Sequence, residues 1–188
     1  MKALKLAATL LSTLVLTAIG ATSAQASTHL SGVSGFEFSA TSTEGRFAGT
    51  AAGDLSGAWD IWVKHTDLGF CFNHPSDHCT INDGTFRLVV TSPAQVVTGR
   101  FDNFAEASNA VPAAANQIKR LPPSSGNRCQ DEVFFITDGL KGVGAIGSQY
   151  TGTGTFTAWL THHWKEDPFF HRCFIVGATV QGSVKLIF

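Results

Sequence analysis

The sequence predicts an all-β protein: a single antiparallel barrel of about eight strands, stapled by disulfides, with a β-sandwich as the alternative. Three observations predict it. Apolar residues recur with period two in several separate stretches, and Gly or Asn/Asp punctuates them. Glycine also sits inside these stretches, as in TGRF (98–101), TGTF (153–156) and QGSV (181–184). An interior glycine weakens a strand, and tight bending at barrel corners or close approach of two backbones gives its repetition a reason. Finally, only 14% of residues are charged, the sole Met is Met1, and Gly, Thr and Phe abound. That composition suits a sheet and argues against a helical bundle.

The first element is a leader, residues 1–26. Lys2 and Lys5 give it a positive start, residues 6–19 an uncharged and mostly apolar middle, and Ala24-Gln25-Ala26 a small-x-small cleavage site. This is a signal peptide cut after Ala26, and it implies a secreted or periplasmic protein. The alternative, an uncleaved anchor, is disfavoured by the short apolar middle, and no later stretch approaches the roughly 18 apolar residues of a span. The remaining 162 residues, 27–188, are expected to form one domain.

Strands are expected at 36–40 and 46–52. Next, Leu55, Gly57, Trp59, Ile61 and Val63 alternate with Ser56, Ala58, Asp60, Trp62 and Lys64. The stretch 66–80, holding Cys71 and Cys79, is read as a loop. Strands follow at 85–91, 96–104 and 132–137, with a long Ala-, Pro- and Ser-rich loop at 105–129 that has room for one short helix. Near the C-terminus Gly152, Gly154, Phe156, Ala158 and Leu160 share one face, and Thr151, Thr153, Thr155, Thr157 and Thr161 the other. A Thr ladder suits the wet side of a sheet. In the last strand Phe174, Val176, Ala178, Val180, Val184 and Leu186 fall together. These two strands are expected to pair as a long hairpin across 165–172.

Charge excludes some partners. Without residues 1–26 the chain has 11 basic and 14 acidic side chains, a net charge of −3. It has no electrostatic footprint for nucleic acid and no basic stripe for an anionic membrane. The four cysteines read as two disulfides. Spacing favours Cys71–Cys79, closing a short loop around Pro75, with Cys129–Cys173 tying two distant segments. A thiolate metal site lacks any CxxC pair, so no metal and no cofactor is expected.

The segments GLKGVGAIGSQYTGTGTFTAWLTH (139–162), RCFIVGATVQGSVKL (172–186) and RFAGTAAGDLSG (46–57) resemble small secreted bacterial proteins of unknown function. In outline they are also similar to the allene oxide cyclase and dirigent barrels. The resemblance covers about half the chain and rests on short Gly/Thr patterns. It implies eight antiparallel strands with GTGxF-like strand pairs, and it carries no catalytic residue onto this chain. Barrels of this kind serve both enzymes and binders.

Chemistry-bearing motifs are few. GDLSG (53–57) lacks the spacing of a nucleophile elbow. GVGAIG (142–147) spells a phosphate-loop pattern without the strand-to-helix setting that mechanism needs, and is read as a turn. His74 and His78 lie four apart, but beside Pro75 in a loop. His162 and His163 are adjacent, so they point to opposite faces, and so do the neighbouring carboxylates Asp131 and Glu132. By parity His65 extends the core face of Trp59, Ile61 and Val63, and His162 that of Phe156, Ala158 and Leu160, with Trp164 two residues on. Both histidines thus fall where a barrel opens to solvent. There a His either serves binding or acid–base chemistry or ties down a loop carbonyl. Trp62 and Trp159 take the outward parity.

Three functional classes fit. One is a secreted barrel holding a small apolar or amphipathic ligand at His65, His162, Trp59 and Trp164. Another is a cyclase- or isomerase-type barrel enzyme. The third is a structural or interaction protein using exposed Trp. The sequence does not decide whether the chain is an enzyme, nor its oligomeric state.

Overall fold

The computed structural model describes residues 26–73, 79–101, 118–121, 129–148 and 152–188, without the side chains of Phe70 and Cys71. The expected leader (except Ala26), His74 and His78, and most of the loop 105–129 lie outside the described residues. Within them the order is β1 (Thr28–Ala40), β2 (Glu44–Gly53), β3 (Gly57–His65), α1 (Leu68–Asn73), β4 (Ile81–Thr91), β5 (Ala94–Phe101), β6 (Ile118–Arg120), β7 (Glu132–Ala145), β8 (Gly152–Glu166) and β9 (Cys173–Ile187).

The architecture is a closed barrel. Strands β1 to β5 pair in sequence, β7 pairs with β8, β8 with β9 and β9 with β1, and β5 pairs with β7 to close the ring of eight. Every pairing is antiparallel. A sandwich would leave four sheet edges open; here the β1–β9 and β5–β7 seams remove them. The ninth strand, β6, covers the first half of β7 through Ile118↔Ile136 and Arg120↔Phe134, while β5 takes the other half through Val97↔Ala145.

Period-two patterning fills the interior. Trp59, Ile61, Val63, Phe86, Leu88, Val90, Phe156, Ala158, Leu160, Ala178, Val180, Val184 and Leu186 are all buried. Trp59 fits because its neighbours are small. Gly49 is its register partner, Gly35 is the partner of Gly49, and a Cβ on Gly35 would lie 2.7 Å from the indole. The indole N–H donates to the carbonyls of Ser34 (3.2 Å) and Thr50 (3.0 Å), which satisfies a buried donor.

The structure corrects the sequence reading in several places. Strand β1 begins at Thr28, ahead of the expected 36, because its Ser/Gly-rich start is held by both β2 and β9. Residues 68–73 of the expected loop form a one-turn helix with Phe72 against the core. GVGAIG is in large part strand: β7 runs to Ala145, with a bulge between Lys141 and Val143 where Gly142 takes φ 59°. Val176 and Phe174 are exposed, not core. The register slips between His163 and Trp164, pairing Gly177 with His163 and Ile175 with Trp164. The extra residue, Val176, resets the parity of everything before it.

Cys129 and Cys173 form a disulfide across 44 residues of sequence, as the spacing suggested. Cys79 is also disulfide-bonded; the expected Cys71–Cys79 pairing involves a side chain outside the described ones.

Candidate functional site

One rim of the barrel gathers the ionisable groups. It is made by the ends of β1, β3, β5 and β8 and the starts of β2, β4, β7 and β9, as their registers require. The inward parity of β1 runs Val33, Gly35, Glu37, so the last inward position carries a carboxylate. That of β7 starts with Glu132 and continues with Phe134. The inward face of β8 ends with His162, whose register partner is Glu132.

These groups meet. His162 Nε2 donates to Glu37 Oε2 at 3.1 Å, and its Nδ1 lies 4.0 Å from Glu132 Oε2. Arg120, from β6, holds the other Glu132 oxygen at 2.6 Å. The His162 ring meets Phe134 edge-on at 5.1 Å, and Phe134 stacks on Phe72 of α1 at 5.7 Å. The side chains of Glu37 and His162 are only 10% and 13% exposed, so the pair is largely withdrawn from solvent. A chain of polar side chains thus crosses the rim from Arg120 through Glu132 and His162 to Glu37.

The outward face repeats the pattern in the next residue along each strand. His163 Nδ1 donates to Asp131 Oδ2 at 2.8 Å, and the Thr179 hydroxyl lies 3.0 Å from its Nε2. The other Asp131 oxygen accepts the Trp164 N–H at 3.2 Å. The hydrogen bond from His163, together with that from Trp164, holds the Asp131 carboxyl below its ordinary pKa. Adjacent carboxylates therefore diverge to adjacent histidines, one pair on each side of the wall.

The four residues expected to form a ligand site do not converge. His65 and His162 stand at the same rim, but β3 and β8 lie four strands apart either way round the ring. His65 is buried and its Nδ1 donates to the Thr66 carbonyl at 2.8 Å, the loop-tying role. Trp59 lies deeper, saturated by backbone carbonyls. Trp164 sits beyond the rim at the register slip. Beneath the rim lies an apolar cavity of about 30 Å³, lined by Phe47, Val63, Ile81, Phe101, Ile136 and Val180 among others. None of the four expected residues lines it. That volume suits about one water-sized group, and its walls offer such a group no polar partner.

Sequence reasoning missed Glu37, Glu132 and Arg120 as one cluster. The signal for Glu37 was present: a carboxylate on the inward parity of a strand. Asp138 was missed too. It is wholly buried within β7, and one of its carboxylate oxygens accepts the Gly139 N–H at 2.8 Å. Among the described residues no group of His, Cys, Asp and Glu has the arrangement of a metal site. A shallow groove on the outer wall carries Arg87 and Arg100, each paired to a carboxylate, with Asp60 at 3.2 Å and Asp83 at 3.1 Å.

Beside the rim the β8–β9 hairpin continues as an arm. β7 pairs with β8 only from His162 inward, and β1 with β9 only from Thr179 inward, whereas β8 and β9 pair on to Glu166↔Cys173. Asp167 braces the tip: its carboxylate accepts the N–H groups of Phe169 (2.7 Å) and Phe170 (3.0 Å), and its backbone bonds Arg172 and His171. Fold and site together define a closed antiparallel barrel with an ion-paired rim and an aromatic arm. Comparison with protein families, with characterised proteins and with solved structures finds no match to this chain.

Proposed function

We propose that this protein is an extracytoplasmic interaction module, in which the barrel is a rigid scaffold and the β8–β9 arm its binding element. The observation that carries this reading is the arm's exposed apolar surface. Phe169 and Phe170 are 86% and 75% exposed at a tip held in shape by Asp167, and Phe174, Ile175 and Val176 below them are about half exposed. Phe36 and Phe38, on the neighbouring end of β1, are about half exposed as well. Exposed apolar surface of this extent marks an interaction site more often than it decorates a monomer. The leader in the sequence and the Cys129–Cys173 bridge support a secreted or periplasmic setting. Oxidative footprinting tests the reading: Phe169 and Phe170 should label strongly in dilute purified protein and be protected in the extracytoplasmic fraction of producing cells. Equal labelling in both would overturn it.

A second reading, a barrel that holds a small apolar ligand, draws support from the apolar cavity under the Glu37–His162 pair. Its size means that any larger ligand requires the rim to open. Native mass spectrometry of protein from its producing organism tests this. A co-purifying apolar molecule, lost in His162→Ala, is expected; its absence from wild type counts against the reading.

A further inference from the structure

We propose that the arm binds a second copy of this chain, edge to edge about a two-fold axis through β9. The inference rests on the interaction reading above and names its partner. Beyond Thr179, β9 has left β1, so among the described residues the edge from Phe174 to Gly177 has no strand beside it. A Cβ at Gly177 would meet nothing within 4 Å. Natural edges are commonly protected by charge, proline or brevity. Here the edge reads Phe174-Ile175-Val176-Gly177-Ala178, with no charge, no proline and three strong strand formers. The opposite edge of the arm, that of β8, is guarded, since Asp131 accepts from the Trp164 N–H and from His163.

An antiparallel copy fits this edge better than another strand would, because the operation repeats itself. Pairing Ile175 with the partner's Val176 places Phe174 opposite the partner's Gly177, where there is open space. Each arm then runs back towards the other's barrel. Its tip arrives level with Thr179, the residue whose β1 partner is Phe36, with Phe38 two residues on. The exposed Phe169 and Phe170 of each copy thereby cover the exposed Phe36 and Phe38 of the other. One two-fold operation uses every exposed phenylalanine of the patch, as an isologous interface requires. Scaling their exposed fractions to about 150–250 Å² per aromatic side chain gives roughly 500–800 Å² per copy, the lower part of the range that a standard interface buries on each partner.

The test is sedimentation velocity on protein from an export-competent, oxidising host, at about 1–100 μM, the weak end for an interface of this size. Wild type should sediment as a dimer. Val176→Lys puts a charge on an exposed edge position and should give a monomer with an unchanged circular dichroism spectrum. Phe169→Ser and Phe38→Ser should each weaken the dimer about tenfold or more. A wild-type monomer, or a dimer indifferent to Val176→Lys, would overturn the proposal. Oxidative footprinting then separates the two levels. A monomer whose Phe169 and Phe170 are protected in the extracytoplasmic fraction abolishes the dimer but keeps the interaction reading, whereas a monomer labelled equally there and in dilute solution overturns both.

Discussion

The indole of Trp59 lies over Gly35 so closely that a Cβ on the glycine would fall 2.7 Å from the ring and closer still to the Ala48 carbonyl oxygen. The largest side chain of the interior is thus seated on the smallest residue of the wall. Gly35→Ala should therefore destabilise by about 3 kcal/mol through overpacking. Gly177→Ala, with open space around it, should change stability by less than about 0.5 kcal/mol. Urea denaturation of both variants checks the contrast.

The Glu37–His162 pair should couple. Either residue truncated alone leaves a largely buried polar partner, at a cost of about 1–3 kcal/mol. A double-mutant cycle of Glu37→Ala and His162→Ala should show an interaction energy of about 1 kcal/mol or more. A cycle that closes at zero would show that the contact does not hold the rim.

The register slip makes a sharp prediction on one strand. Val180→Asp should prevent folding, because Val180 is 3% exposed and an unpaired charge would be buried there. Val176→Asp, four residues away on the same nominal parity, should fold. Soluble yield and far-UV circular dichroism distinguish them.

The Cys129–Cys173 bridge spans 44 residues of sequence. In the chain-entropy account, replacing both cysteines by serine should cost about 4 kcal/mol. Thermal unfolding of Cys129→Ser/Cys173→Ser against wild type measures it.

Acid should erode stability through Asp131 and Asp83. The His163 hydrogen bond lowers the pKa of Asp131; the Gly84 N–H, and then Arg100, lowers that of Asp83. A folded pKa below the unfolded one contributes stability above the ordinary carboxylate value of about 3.9, and that contribution is lost as pH falls through the folded pKa. Asp131→Asn and Asp83→Asn should each flatten the acid limb of the stability–pH curve below about pH 4 and lower the plateau at neutral pH.

The sequence by itself determined the strands with two-faced patterns and the staple that ties them. Trp59 to Val63, Phe156 to Leu160 and Ala178 to Leu186 show their inward side because alternation is local and burial on one face enforces it. Spacing also pointed to Cys129 and Cys173 as partners. Tertiary structure decided the rest. Closure between β5 and β7 joins segments far apart in sequence, and no local pattern encodes which strands meet. The extra residue at Val176 reset a parity that the sequence carries straight through, because a bulge is set by the partner strand. The rim followed the same rule. The inward parity of His162 was legible, but its partners Glu37 and Glu132 come from other strands. The opposition of His65 and His162 depends on how many strands stand between them. Period two tells a residue which face it takes; only the order of strands around the ring tells it which residues share that face.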